Sequence, residues 1–200
     1  MSSTSAPFGF RPSFHNSGQI RPKAYTITST LGTNIFQGDP VKIASNGTVV
    51  LGTSDGLRTG TIAGIKLLGI FAGVQYYDAQ GKPTVSNFWP SGTTATNIIA
   101  YVYDDPETLY DVQFTNPSSG TSMQTYVGAE FDWEYSSTGG STSTGLSNAF
   151  IATAEASGQT GQFQMTGFSN NINDTITDAY NVVTVRLNEA MYKASVITND

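Results

Sequence analysis

The most apolar run of this 200-residue chain, Ile62-Ala63-Gly64-Ile65-Lys66-Leu67-Leu68-Gly69-Ile70-Phe71-Ala72-Gly73-Val74, is broken by glycines at 64, 69 and 73. Glycine loses more backbone freedom in a helix than any other residue and offers no side chain to pack. The run is therefore expected to form two bent strands filling a small barrel rather than one helix. Composition points the same way. Charged residues are only 12% of the chain, roughly half the usual share of about 25%. Ser and Thr make up close to a quarter, so hydroxyls and amides must cover the surface. Thr suits the half-buried face of a strand, and 21 glycines supply the positive-φ turns that many short strands need. The expected class is all-β: a compact β-barrel or β-tulip-like domain of short strands.

Residues 1–23 interleave Pro7, Pro12 and Pro22 with Phe8, Phe10 and Phe14. Proline blocks both helix and central strand, so this segment is expected to run as an extended N-terminal arm. Either the arm lies across another surface, with each phenylalanine burying on the order of 150–250 Å², or it folds back on its own domain. On the first alternative, deleting residues 1–23 leaves the domain folded. Residues 24–200 read as a single β-rich domain, with a barrel part over about 24–116 and a C-terminal part over about 117–200. Within it, 25–28 and 39–43 read as strands, and Asn46-Gly47 as a hairpin turn into 49–51. Residues 98–103 form a strand that Asp104-Asp105-Pro106 stops, and 109–114 restart it to close a second hairpin. Residues 124–131 read as a short helix or extended segment, and 136–145 as a Ser/Thr/Gly loop. Two more strands follow, at 163–168 and 181–188, the last expected to return to the first.

The chain carries nine basic against fifteen acidic residues, a net charge of −6 and a pI near 4.6. Nucleic-acid binding needs clustered Lys and Arg to displace counterions from phosphates, so no nucleic-acid partner is expected. No apolar run reaches the roughly 18 residues of a membrane span, and the amino terminus lacks the basic and apolar parts of a signal peptide. No membrane partner and a cytoplasmic site of synthesis are expected. Without cysteine there is no disulfide, thiolate zinc site or Cys nucleophile. The sequons Asn46-Gly47-Thr48 and Asn173-Asp174-Thr175 read as turns.

Chemistry-bearing groupings are weak. His15, the single histidine, sits in the arm, where nothing would hold it against a nucleophile and a carboxylate. Asp104, Asp105, Glu107 and Asp111 offer oxygen ligands but lack the spacing of a calcium loop, and read as a solvated turn. Asp132 and Glu134 would share a strand face, too close in sequence to flank a glycosidic bond without a deep cleft. Trp89, Trp133, Tyr76, Tyr77, Tyr101 and Tyr103 could stack on a sugar, or equally fill a β core and an oligomer interface. No Gly-Lys-Ser or Gly-Lys-Thr phosphate loop is present. No catalytic residue, cofactor or metal is expected.

Pro7-Phe8-Gly9-Phe10-Arg11-Pro12, Gly38-Asp39-Pro40-Val41, Gly69-Ile70-Phe71-Ala72-Gly73-Val74-Gln75-Tyr76, Phe88-Trp89-Pro90, Ala100-Tyr101-Val102-Tyr103-Asp104-Asp105-Pro106 and Val185-Arg186-Leu187-Asn188 together resemble the cement or decoration proteins of tailed-bacteriophage capsids. The resemblance spans nearly the whole chain and is least distinct after Gly120. It implies a non-enzymatic virion protein on the capsid exterior that binds the major capsid protein, forms a homotrimer and clamps neighbouring capsomers. Under it, Phe8, Phe10, Arg11 and Phe14 are candidate capsid contacts, and Tyr76, Tyr77, Phe88 and Trp89 candidate oligomer contacts. The alternative from another class is a carbohydrate-binding β-sandwich adhesin, and a third is a hydrolase with an unrecognised site.

Overall fold

The computed structural model describes residues 4–58, 60–62, 64–115, 122–154, 161–169 and 177–193. The second sequon, at 173–175, and the expected boundary at 116/117 lie outside the described residues. In chain order the strands are β1 (Arg11–Phe14), β2 (Lys23–Tyr25), β3 (Ile35–Phe36), β4 (Pro40–Ile43), β5 (Val49–Leu51), β6 (Gly69–Tyr77), β7 (Pro83–Ser86), β8 (Phe88–Trp89), β9 (Thr96–Tyr103), β10 (Leu109–Thr115), β11 (Glu130–Gly140), β12 (Ser147–Ala154), β13 (Phe163–Phe168) and β14 (Tyr180–Leu187). One 3₁₀ turn, Met123–Tyr126, is capped by the Ser122 side chain, which accepts from the Gln124 N–H. The class is all-β.

Two six-stranded sheets carry the fold. The first runs β1-β10-β12-β11-β13-β14, and β10 also pairs with β14. The second runs β2-β9-β6-β4-β5, with β7 beside β6, and a separate pair joins β3 to β8. Period-two patterning sets the buried faces: along β14, Asn181, Val183, Val185 and Leu187 point inward and alternate with half-buried residues. One apolar core gathers Phe114, Phe131, Trp133, Ile151 and Val185 of the first sheet with Phe10, Leu51 and Ile70. The other gathers Ile27, Ile35, Val41, Phe71, Trp89 and Val102. The Asn46-Gly47 turn stands as expected, with Gly47 at φ +79 between paired β4 and β5.

Several expectations are corrected. β9 and β10 do not form a hairpin, because β2 and β6 occupy both edges of β9. β10 instead pairs with β14 along its whole length, from Leu109↔Arg186 to Thr115↔Tyr180. Its other edge is shared by β1, at Arg11↔Asp111, and β12, at Phe114↔Ile151. The strand path β10-β12-β11-β13-β14 thus returns on itself with β10 as its closing member, whereas β2, β4–β7 and β9 belong to an open sheet. β14 reaches β10 and β13, not β1.

Residues 62 and 64–68 are not in a strand. Gln162 turns its amide onto the carbonyls of Ile62 and Ile65 at 2.7 and 2.8 Å, and Leu67 bridges Ala190. These side-chain and distant backbone partners satisfy groups that a hairpin would otherwise pair. The Ser/Thr/Gly stretch also differs, since β11 continues to Gly140 before turning at Ser141–Gly145, where the Gly145 N–H donates to the Ser141 carbonyl at 2.7 Å. A Cβ on Gly140 would come within 2.5 Å of the Phe36 ring, so it is tertiary packing that extends this low-propensity strand.

Candidate interaction surface

The arm folds back on its own domain, and two glycines make that possible. The Gly9 N–H donates to the Ala149 carbonyl at 3.2 Å in the first sheet, and the next N–H, of Phe10, donates to the Gly38 carbonyl at 3.0 Å beside the second. Two consecutive donors thus join the arm to both sheets. A Cβ on Gly38, at φ +94, would lie 3.1 Å from the Phe10 nitrogen and 3.3 Å from the Gly9 Cα. Only hydrogen in place of a side chain permits this approach.

Phe10 is 1% exposed and stacks on Phe163 with centroids 4.3 Å apart. It is a core residue, which removes it from the candidate capsid contacts. The physical reason is the chain path: backbone hydrogen bonds on either side of the ring aim it between the sheets. Of the two paths open to residues 1–23, the structure shows the one that folds back on the domain. Phe14, by contrast, is 54% exposed. Phe8 is half-buried, with the Arg11 guanidinium 4.4 Å above its ring. Arg11 is exposed and makes no ion pair among the described residues. Asp111, opposite it across the strand pair, accepts from Thr184 Oγ1 at 2.9 Å and Ser169 Oγ at 3.3 Å.

Beneath this surface a buried charge ties the sheets together. Asp39 is fully buried. Its Oδ2 accepts from the Phe36 N–H at 2.8 Å and from Arg58 Nη2, and its Oδ1 accepts from Ser147 Oγ at 2.6 Å. The Arg58 guanidinium lies between the rings of Phe36 and Tyr135, at 5.2 and 5.3 Å. Burial pushes the Asp39 carboxyl up, against the opposing pull of Arg58, Ser147 and the Phe36 N–H. Nothing in the run Gly38-Asp39-Pro40-Val41 by itself points to these partners. The available signal was one acid embedded among residues that all pack inward.

The acidic turn serves the arm's far end. His15 Nε2 lies 3.1 Å from Asp105 Oδ2, and Lys23 Nζ 3.3 Å from Asp104 Oδ2. The Tyr25 hydroxyl donates to the same Asp104 oxygen at 2.6 Å, and burial together with that carboxylate pushes its pKa up, keeping it a donor. Among the described residues, no three His, Cys, Asp or Glu side chains are grouped to hold a metal. Asp132 is nearly buried and accepts from the Gln162 N–H at 3.2 Å.

The other four candidates divide. Trp89 is fully buried and Tyr76 nearly so, the two rings meeting edge to face at 5.4 Å. Both belong to the core, because β8 turns its indole inward against β6. Phe88 is half-buried and stacks on Phe36 at 5.5 Å. Tyr77 remains exposed at 42%, near Val85 at 83%, and both line a groove with Pro83 and Ile99. Trp133 is fully buried too, so neither indole is available to stack on a sugar. No protein-family model, curated protein or solved structure matches this chain.

Proposed function

We propose that the chain is a non-enzymatic virion structural protein of the capsid cement or decoration kind. It binds the major capsid protein on the exterior of a phage head and clamps neighbouring capsomers. The observation that carries this reading is the division within one short segment: Phe10 is locked into the core while Phe14, four residues on, stands 54% exposed on an edge strand. An apolar tip on a root that cannot move presents contact area without the ordering penalty of a free tail. Burying one phenylalanine contributes roughly 1.5–3 kcal/mol before such penalties are subtracted. The groove at Tyr77 and Val85 is lined by uncharged residues, and self-association there into a homotrimer avoids bringing like charges of this −6 chain together. Burial of both indoles and of Tyr76 removes three of the six aromatics from which the adhesin alternative would draw a solvent-facing pair.

Purified virions test the reading. The chain should co-purify with intact particles in near-stoichiometric ratio to the major capsid protein. Heads stripped of it should lose their genome at lower temperature than decorated heads, because a ligand of the assembled state shifts disassembly by mass action. Equal melting of stripped and decorated heads would overturn it.

A further inference from the structure

The segment that carries the exposed phenylalanine also roofs a cavity. Between Phe8, Phe10, Arg11, Phe71, Tyr103 and Leu146 lies a space of ≈ 240 Å³, far above the roughly 10–15 Å³ at which a cavity first admits one water. Phe10 and Phe71 are fully buried there, and Tyr103 and Leu146 half-buried. A second space, of ≈ 310 Å³, shares Phe8 and Leu146 with the first. Phe8 thus borders both spaces, with the Arg11 guanidinium 4.4 Å above its ring.

Arg11 is the one charged residue lining either space. It has no acidic partner among the described residues, and the nearest carboxylate across the strand pair, Asp111, already accepts from two hydroxyls. Its planar fork is thus open to a bidentate carboxylate. An apolar cavity with a single cation at its mouth complements a ligand of the opposite construction.

We infer that this cavity is a binding site for a protein segment carrying a large apolar side chain next to a carboxylate. The apolar group enters against the half-buried Phe8, Tyr103 and Leu146, and the carboxylate engages Arg11. This rests on the proposed function and specifies the partner chemistry of the same face.

The test uses the full-length protein and three synthetic peptides blocked at both ends: Ser-Asp-Phe-Asp-Ser, its Lys-for-Asp counterpart, and its Ala-for-Phe counterpart. Titration calorimetry should show the first binding at least about tenfold more tightly than either other, the size of one charge-assisted hydrogen bond or one buried ring. Arg11→Glu should reverse the preference between the acidic and basic peptides, and Leu146→Trp, which fills the cavity, should abolish binding of the phenylalanine peptide. Because Arg11→Glu also sets a like charge opposite Asp111, Arg11→Gln serves as the second variant: it adds no charge, should keep the unfolding midpoint close to that of wild type and should still lose the preference for the acidic peptide. No binding of the acidic peptide, equal binding of all three, or a preference that survives Arg11→Glu overturns the inference. A parallel assay on stripped heads separates the two readings. Equal attachment of wild type and Arg11→Glu discards the site and leaves the decoration function standing, whereas failure of the wild type to attach discards the function while the peptide result still decides the site.

Discussion

The rings of Phe10 and Phe163 lie 4.3 Å apart and nearly parallel, at 19°, so a residue of the arm and a residue of β13 share one core. Removing that ring leaves a cavity that neither sheet can close. Phe10→Ala should cost about 3–5 kcal/mol, read as a lower urea midpoint. Phe14→Ala, on the exposed tip, should change stability by under about 0.5 kcal/mol. Deleting residues 1–23 should therefore destabilise at least as much as Phe10→Ala. Equal effects of the two phenylalanine substitutions would sink the distinction between root and tip.

Attachment should follow the reverse order. Phe14→Ala, although neutral for folding, should weaken binding to stripped heads on the order of tenfold or more, the value of one buried phenylalanine. Sedimentation of the variant with heads measures this.

Asp39 should be among the most sensitive polar positions. Asp39→Ala leaves the Arg58 guanidinium, whose side chain is only 14% exposed, without its carboxylate, a change worth about 3–5 kcal/mol. Replacing both, as Asp39→Leu with Arg58→Met, should recover a large part of that loss. A double-mutant cycle by chemical denaturation resolves the coupling, and additive effects would show that the pair is not coupled.

The same carboxyl gives a pH signature. Burial raises its folded pKa above the unfolded value of about 3.9, so the folded chain holds this proton more tightly than the unfolded one. The associated stability is full below about pH 4 and is lost as pH rises through the folded value. The stability difference between wild type and Asp39→Asn should therefore narrow on going from pH 4 to pH 7, and a difference that widened would contradict it.

Gly9 and Gly38 should tolerate nothing larger. A Cβ on Gly9, at φ +77, would sit 2.8 Å from the Ser147 Cβ, and either alanine substitution adds a left-handed backbone that L side chains disfavour. Each should cost about 1–3 kcal/mol. Thermal unfolding of the single variants checks it, and a neutral Gly38→Ala would show that the arm does not hold this close approach in solution.

Local signals in the chain were enough for the all-β class, for β4, β5, β13 and β14, and for the Asn46-Gly47 turn, because alternation, β-branched content and positive-φ glycine act over a few residues. They also marked the arm as extended, though not where it lies. What only the tertiary structure decided is partnership at long range. β10 follows β9 in sequence but pairs with β14, since both edges of β9 are already filled. In sequence Trp89 and Phe10 are equally candidate contacts and candidate core, because which face of a strand is buried depends on what packs against it. Asp39 finds Arg58 nineteen residues away and Ser147 one hundred and eight away, and no spacing rule encodes such a meeting. The exposed tip at Phe14 and the cavity under Arg11 follow from the same cause: two glycine backbones pass closely enough to pin the arm at Phe10, and everything on either side of that point takes its position from it.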